Sequence, residues 1–208
     1  MNTLVDYAPS DFVELDMHFD LDQANIYQVD TLEEIETIPN KSVDVILTDP
    51  PYDFDEATKI FLHNEFTRIA KKAVIVFSPP ENQWDFCADH YLFWIKPIST
   101  KNTIKSYSRF VEMIFVYELE DYTWNTNYHW SNYVNVINDK VLGLSDHPFE
   151  KPESLLERLI RLHTNPGDMI FDPFCGSGSV LNVAERLDRY SLGWDINDEH
   201  FNSDNNSE

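Results

Sequence analysis

Apolar residues in this chain come in short runs divided by polar turns, and the runs follow two different periods. Val43 to Thr48 (VDVILT) and Ala73 to Phe77 (AVIVF) are β-branched and nearly unbroken in hydrophobicity, the pattern of strands covered on both faces. Between them, Glu56 to Lys71 has helical spacing, with Ile60, Phe61, Phe66 and Ile69 on or near one side. Strand, helix and strand in that order predict a βαβ unit and a parallel sheet. Upstream, Ala24 to Val29 is a short apolar segment, followed by an acidic, weakly helical stretch that ends at Pro39-Asn40. Downstream, Tyr91 to Ile95 and Val111 to Tyr117 read as an antiparallel ribbon at one edge of the sheet. Residues 122–146 are rich in Trp, Tyr and Asn without a clear period, and are expected to form an irregular insertion. Pro152 to His163 predicts a helix with Pro in its first turn and Leu155, Leu156, Leu159, Ile160 and Leu162 as its apolar positions. Met169 to Phe171 and Ser191 to Trp194 read as short strands on either side of a helix from Val180 to Leu187.

With 208 residues, 42% of them hydrophobic, the chain can bury one core and is too short for two ordinary domains. The expected division is an acidic segment over 1–23, one domain over 24–196 and a polar, disordered tail over 197–208. No run approaches the roughly 20 apolar residues that span a bilayer. The start MNTLVDYAPSDF also lacks the basic and apolar regions of a signal peptide, so the expected location is cytoplasmic. Cys87 and Cys175 form no ligand spacing, so reduced thiols are expected, with neither a disulfide nor a metal site. The seven histidines are scattered and read as structural or surface groups.

A formal charge of −22 opposes binding to a polyanion, yet its distribution is uneven. From Lys96 to Arg109 the chain carries Lys96, Lys101, Lys105 and Arg109 and no acid, interleaved with Tyr107. That stretch is either a footprint for a phosphate backbone or a solvated loop. Trp124, Trp130 and Tyr133 either touch bases or pack within the insertion.

Two constellations carry chemistry. Phe174-Cys175-Gly176-Ser177-Gly178 lies between a strand and a helix, where small residues let backbone N–H groups approach a ligand. Asp195 follows the next strand, where a carboxylate can accept ribose hydroxyls. Together they describe a site for a nucleoside-containing cofactor, and the full three-glycine spacing of a dinucleotide site is absent. Asp49-Pro50-Pro51-Tyr52 ends a buried strand. Two prolines cannot continue a ladder, so the chain leaves the sheet stiffly, with the Asp49 carboxylate and Pro50 carbonyl in a fixed arrangement. Those two acceptors suit an amino group with two N–H bonds to donate, and Tyr52 offers a face to a planar ring.

These strings resemble the amino-methyltransferases of DNA, in the permuted class whose Asp-Pro-Pro-Tyr motif precedes the glycine-rich motif. The resemblance runs from about Ala24 to Asp195 and includes Asp30, Ser42-Val43-Asp44, Trp94-Ile95-Lys96, Arg109, Glu112, His147 to Pro152, Asp172 to Gly178 and Gly193-Trp194-Asp195. It implies an α/β, Rossmann-like methyltransferase sheet, mostly parallel with one antiparallel edge strand, circularly permuted. It also implies S-adenosylmethionine as cofactor and DNA as partner. By similarity Phe174, Gly176, Ser177 and Gly178 line the cofactor site and Asp195 holds the ribose. Asp30 and Thr31 lie where the family contacts the adenine, and Lys151 lies near the methionine end. Asp49, Pro50 and Tyr52 would be catalytic. Asp195 stands where many relatives carry Glu, and residues 122–146 are short for a target-recognition region.

The implied reaction methylates an exocyclic amino group, after the base is extruded from a duplex or taken from single-stranded DNA. Asp rather than Ser before Pro-Pro-Tyr leans towards adenine N6, with cytosine N4 as the rival. A non-catalytic cofactor-binding subunit that meets a protein partner through its acidic surface is a further reading, as is a homodimer. Methylation of RNA or of a protein amide is another.

Overall fold

The computed structural model describes residues 25–96, 110–138 and 151–197. Eight strands form one sheet: β1 (Asn25–Gln28), β2 (Val43–Thr48), β3 (Ala70–Ser78), β4 (His90–Ile95), β5 (Val111–Glu118), β6 (Val136–Ile137), β7 (Met169–Asp172) and β8 (Tyr190–Asp195). Their spatial order is β1-β8-β7-β2-β3-β5-β4-β6. The helices are α1 (Thr31–Glu34), α2 (Glu56–Ile69), α3 (Glu153–His163) and α4 (Ser179–Arg186).

The unbroken hydrophobicity of β2 and β3 follows from helices on both sides of the sheet. On one face Val45, Leu47, Ala73, Ile75 and Phe77 pack with α3 and α4. On the other, Ile46, Val74 and Val76 pack with the α1 region and α2. Successive residues over Val45–Leu47 and Ala73–Phe77 thus serve opposite cores, and the charged residues Asp44, Lys71 and Lys72 stand near the strand starts. β2 pairs in parallel with both β3 and β7, as the βαβ reading predicts.

The chain enters α2 through Asp55, whose side chain accepts a hydrogen bond from the Thr58 N–H at 2.8 Å. The helix ends two residues earlier than its sequence pattern, because Ala70 is already extended and opens β3. Its buried face is Lys59, Leu62, Phe66 and Ile69, while Ile60, expected inward, is 46% exposed. The difference is one of phase: 59, 62, 66 and 69 keep the i, i+3, i+7 stripe, and a buried lysine conceals it in the sequence.

The ribbon of β4 and β5 is antiparallel and lies towards one end of the sheet. β5 is the reversed strand, antiparallel to both β3 and β4, and it lies inside the sheet rather than at its margin. The outermost place is taken by β6, a two-residue strand from the stretch expected to be irregular. Elsewhere in that stretch, Trp124 packs with Tyr122, Tyr133 and His163 at ring-centroid distances of 5.3–6.5 Å. Burial pushes the His163 imidazole down to about 3, so it is a neutral packing group. Cys87 and Cys175 are free thiols. Among the described residues no helix is long and apolar enough to cross a membrane.

Candidate active site

The parallel strands end on one side of the sheet, where a cleft of about 690 Å³ opens. Such crevices at the carboxyl ends of α/β strands are where this architecture takes its ligands. One end of the cleft is lined by Asp30, Thr31, Phe174 and Asp195, the other by Asp49, Pro50 and Tyr52, so residues from both sequence constellations share it.

Local folding explains the first group. β7 stops at Asp172, and the turn to α4 passes through Gly176 (φ +50) and Gly178 (φ +78), backbone conformations that L side chains resist. The Gly176 N–H donates to Asp195 Oδ2 at 2.9 Å, while Asp195 Oδ1 accepts from the Asn197 N–H at 2.8 Å. Gly193 lets β8 approach the turn: a Cβ there would lie 2.8 Å from both Cβ and Sγ of Cys175. Asp30 caps α1, accepting from the Leu32 N–H at 2.9 Å. Thr31, expected against the cofactor, lines the cleft, but it is 3% exposed and its hydroxyl donates to the Pro173 carbonyl. It therefore ties α1 to the turn. Phe174 lines the cleft, with Phe54 5.7 Å away, whereas Gly176, Ser177 and Gly178 are not among its lining residues, although the space beside Gly176 is open.

The second group sits on the stiff exit from β2. Asn82 Nδ2 donates to the carbonyls of Tyr52 (2.6 Å) and Phe54 (3.3 Å), and buried Lys59 holds Asn82 Oδ1 at 3.0 Å. Asp49 Oδ2 contacts Lys151 Nζ at 2.5 Å. Its Oδ1 is buried with no hydrogen-bond partner among the described residues. Burial pushes the Asp49 carboxyl above the usual aspartate range; the Lys151 ammonium opposes the push and the Glu112 carboxylate adds to it. Burial and the Asp49 and Glu112 carboxylates hold the Tyr52 phenol well above its ordinary value, so it stays neutral.

Lys96, expected to meet phosphates, lines the cleft with its ammonium on Glu112, its side chain 13% exposed, so its charge is already neutralised. Lys101, Lys105 and Arg109 lie outside the described residues. The described residues on either side of them meet, the Lys96 N–H donating to the Phe110 carbonyl at 2.7 Å. Lys151 touches Asp49 and Glu112. Glu112 itself, 1% exposed, occurs in the recognised pattern without a role, and an acid inside a hydrophobic strand (VEMIFVYE) was the available signal.

An α/β sheet with one reversed strand, and a cleft combining a glycine turn with a carboxylate-bearing proline turn, define a nucleoside-cofactor group-transfer enzyme. The profile of one family, described as DNA methylase and covering the N6 and N4 types, matches residues 70–206, and the chain belongs to that family. It is 24% identical to the type II methyltransferase M1.MboII of Moraxella bovis, over 86% of this chain and 94% of that protein. To the DNA adenine methyltransferase YhdJ of Escherichia coli (strain K12) it is 26% identical, over 83% of this chain and 78% of the relative. Its fold matches that of M1.HpyAVI in complex with SAM at a TM-score of 0.67, with 22% identity, over 86% of this chain and 96% of that one. It matches the cytosine-N4-specific PvuII DNA methyltransferase at 0.70, with 18% identity, over 89% of each chain. The chain is thus a DNA methyltransferase of the adenine-N6 or cytosine-N4 type.

Proposed function

We propose that the protein transfers the methyl group of S-adenosylmethionine to the N6 amino group of adenine in DNA, within residues 24–196. The observation that carries the reading is the shared cleft: Asp49 and Tyr52 open on the same 690 Å³ space as Phe174 and Asp195. The residues fit such a cofactor. Asp195 Oδ2 accepts one backbone N–H and retains a lone pair for a ribose hydroxyl, while Oδ1 accepts from both the backbone N–H and Nδ2 of Asn197. Asp30 and Phe174 bound the place for a purine, and the solved relative M1.HpyAVI holds SAM on the same fold. When bound, S-adenosylmethionine supplies an electrophilic methyl group on a sulfonium.

The chain's own part is positioning. An aryl amine is a weak nucleophile because its lone pair is delocalised into the ring. Accepting its two N–H bonds at Asp49 and the Pro50 carbonyl favours a more tetrahedral nitrogen and frees that lone pair. Tyr52, 41% exposed at the cleft, stacks on the extruded ring. Asp49 takes the surplus amine proton after transfer, a role favoured by the raised affinity of its buried carboxyl for protons. Adenine is favoured over cytosine by Asp49 in the place where Ser would lean towards cytosine, and YhdJ is named as an adenine methyltransferase. The motif order supports a circularly permuted member of the class. Lys101, Lys105 and Arg109 serve the phosphate backbone in this reading.

The test is incubation with tritiated S-adenosylmethionine and a panel of DNAs at low salt, followed by digestion to nucleosides. Label in N6-methyl-2′-deoxyadenosine is expected. Label in N4-methyl-2′-deoxycytidine would replace the acceptor, and no label in any DNA would overturn the proposal.

A further inference from the structure

Four charged side chains from four segments meet in the cleft wall: Asp49 after β2, Lys151 ahead of α3, Glu112 on β5 and Lys96 after β4. Lys151 Nζ is 2.5 Å from Asp49 Oδ2 and 2.7 Å from Glu112 Oε1, and the far side of Glu112 is bound by Lys96. The Lys151 side chain is 8% exposed and its ammonium lies 4.9 Å from the Phe77 ring centroid and 5.9 Å from that of Trp94. Two basic and two acidic side chains thus form one continuous chain in a partly apolar wall.

Resting on the methyl-transfer reading above, we propose that Lys151 is a positioning residue of the acceptor site. Its ammonium, clamped between Glu112 and Asp49, holds Asp49 ionised and fixed in the orientation that accepts an N–H from the target base. A buried carboxyl without a cation keeps its proton, and a protonated carboxyl can present an O–H where the amine needs an acceptor. Lys151 supplies that cation. Burial would drive the proton off Lys151 in turn, but the Asp49 and Glu112 carboxylates outweigh it and hold the ammonium above the usual lysine range. Glu112 is kept ionised against its own burial by Lys151 and Lys96. Lys96 thereby acts at one remove, fixing the anion that fixes Lys151. The ammonium donates a hydrogen bond to Asp49 Oδ2 and forms an ion pair with Glu112.

Of the other groups that face Asp49, the acids oppose its ionisation and the Tyr52 phenol favours it as an uncharged hydrogen-bond donor. Glu112 on β5 and Asp172 on β7 are acids, and Tyr52 on the same turn is an un-ionised phenol. Lys151 is therefore the cation in direct contact with Asp49 among the described residues. Its place immediately before Pro152, whose carbonyl accepts from Leu155 and Leu156, ties the ammonium to a rigid helix start.

The experiment measures kcat and KM for DNA and for S-adenosylmethionine against pH in the full chain and in Lys151→Met, Lys151→Arg and Glu112→Gln. Alongside these, a ¹³C NMR titration follows the Asp49 carboxyl without turnover. Lys151→Met should lower kcat near neutrality about tenfold or more, one unit of Asp49 titration being tenfold in its ionised fraction. Its acidic limb moves alkaline, activity recovers at higher pH, and the KM for S-adenosylmethionine changes little. Lys151→Arg should keep the limb close to that of the parent. Glu112→Gln removes an anion beside Asp49, so the limb and the NMR titration should move to lower pH. A limb and carboxyl titration unmoved in Lys151→Met would overturn the proposal, as would a loss confined to the KM for S-adenosylmethionine. If Lys151→Met does not fold, Glu112→Gln decides by the sign of its shift, and an alkaline shift or none contradicts. Absence of methylation in the parent chain would instead sink the functional reading, while the NMR titration would still decide the role of Lys151.

Discussion

The Thr48 hydroxyl donates to Asp172 Oδ1 at 2.7 Å, joining the last residue of β2 to the last residue of β7. The same oxygen accepts from the Phe174 N–H at 3.1 Å, so one carboxyl spans the acceptor strand and the glycine turn. Asp172 is 3% exposed, and burial pushes its carboxyl up to about 7 against the pull of these two donors. In the unfolded chain an aspartate ionises near pH 3.9. Between those values the folded protein holds a proton that the unfolded chain has lost, so this group makes stability fall as pH rises from about 4 to about 7. Urea unfolding of Asp172→Asn should show a smaller decline than the parent over that window. An identical pH profile in the two would show that Asp172 titrates normally.

The contact between β8 and the turn leads to a second expectation. A Cβ on Gly193 would meet Leu181 Cδ2 at 2.7 Å and Cys175 at 2.8 Å. Gly193→Ala should therefore destabilise the fold by about 1–3 kcal/mol, the usual cost of overpacking. It should also weaken S-adenosylmethionine binding, since Cys175 precedes the residue whose N–H holds Asp195. Thermal unfolding and cofactor titration check both, and an unchanged melting temperature would count against the close approach.

Asn82 governs the turn that carries Tyr52. Asn82→Ala deletes its bonds to the Tyr52 and Phe54 carbonyls and removes one partner of the Lys59 ammonium, which keeps the Gln83 carbonyl and the Glu56 carboxylate. A loss of about 1–3 kcal/mol is expected. It should fall on DNA binding and turnover, with S-adenosylmethionine affinity nearly kept. Equal losses for both ligands would show that the turn is not a separate unit.

The acidic chain should bind DNA weakly and with a salt dependence set by few cations. Neutralising Lys101, Lys105 and Arg109 one at a time should each reduce the slope of log K against log salt by about one unit. Lys96→Gln should leave that slope unchanged, because its charge is spent on Glu112. A reduced slope for Lys96→Gln would place it on the phosphates after all.

The core strands were legible because burial on both faces leaves a one-dimensional mark: VDVILT and AVIVF admit few other readings. The proline turn and glycine turn were legible too, since one needs the fixed φ and missing N–H of proline and the other the positive φ open to glycine. What escaped was two-body information. The phase of α2 was misread because Lys59 is buried by partners in the loop at Asn82 and Gln83, which no periodicity encodes. β6 was missed because two residues gain their strand character only from β4 beside them. Glu112 on β5 and Lys96 just after β4 are 16 residues apart, and their ion pair exists only once the β4–β5 register is set. The further use of Thr31 in bracing the glycine turn depends on a tertiary neighbour, Pro173.

The central claim is that Asp49 acts on the target amine in a cleft it shares with a separately held cofactor. Asp49→Ala tests it most directly, by S-adenosylmethionine titration and single-turnover methylation of the same preparation. The cofactor should bind within a few-fold of the parent affinity while methyl transfer falls by roughly a hundredfold or more. Methyl transfer at the parent rate in Asp49→Ala would contradict the account.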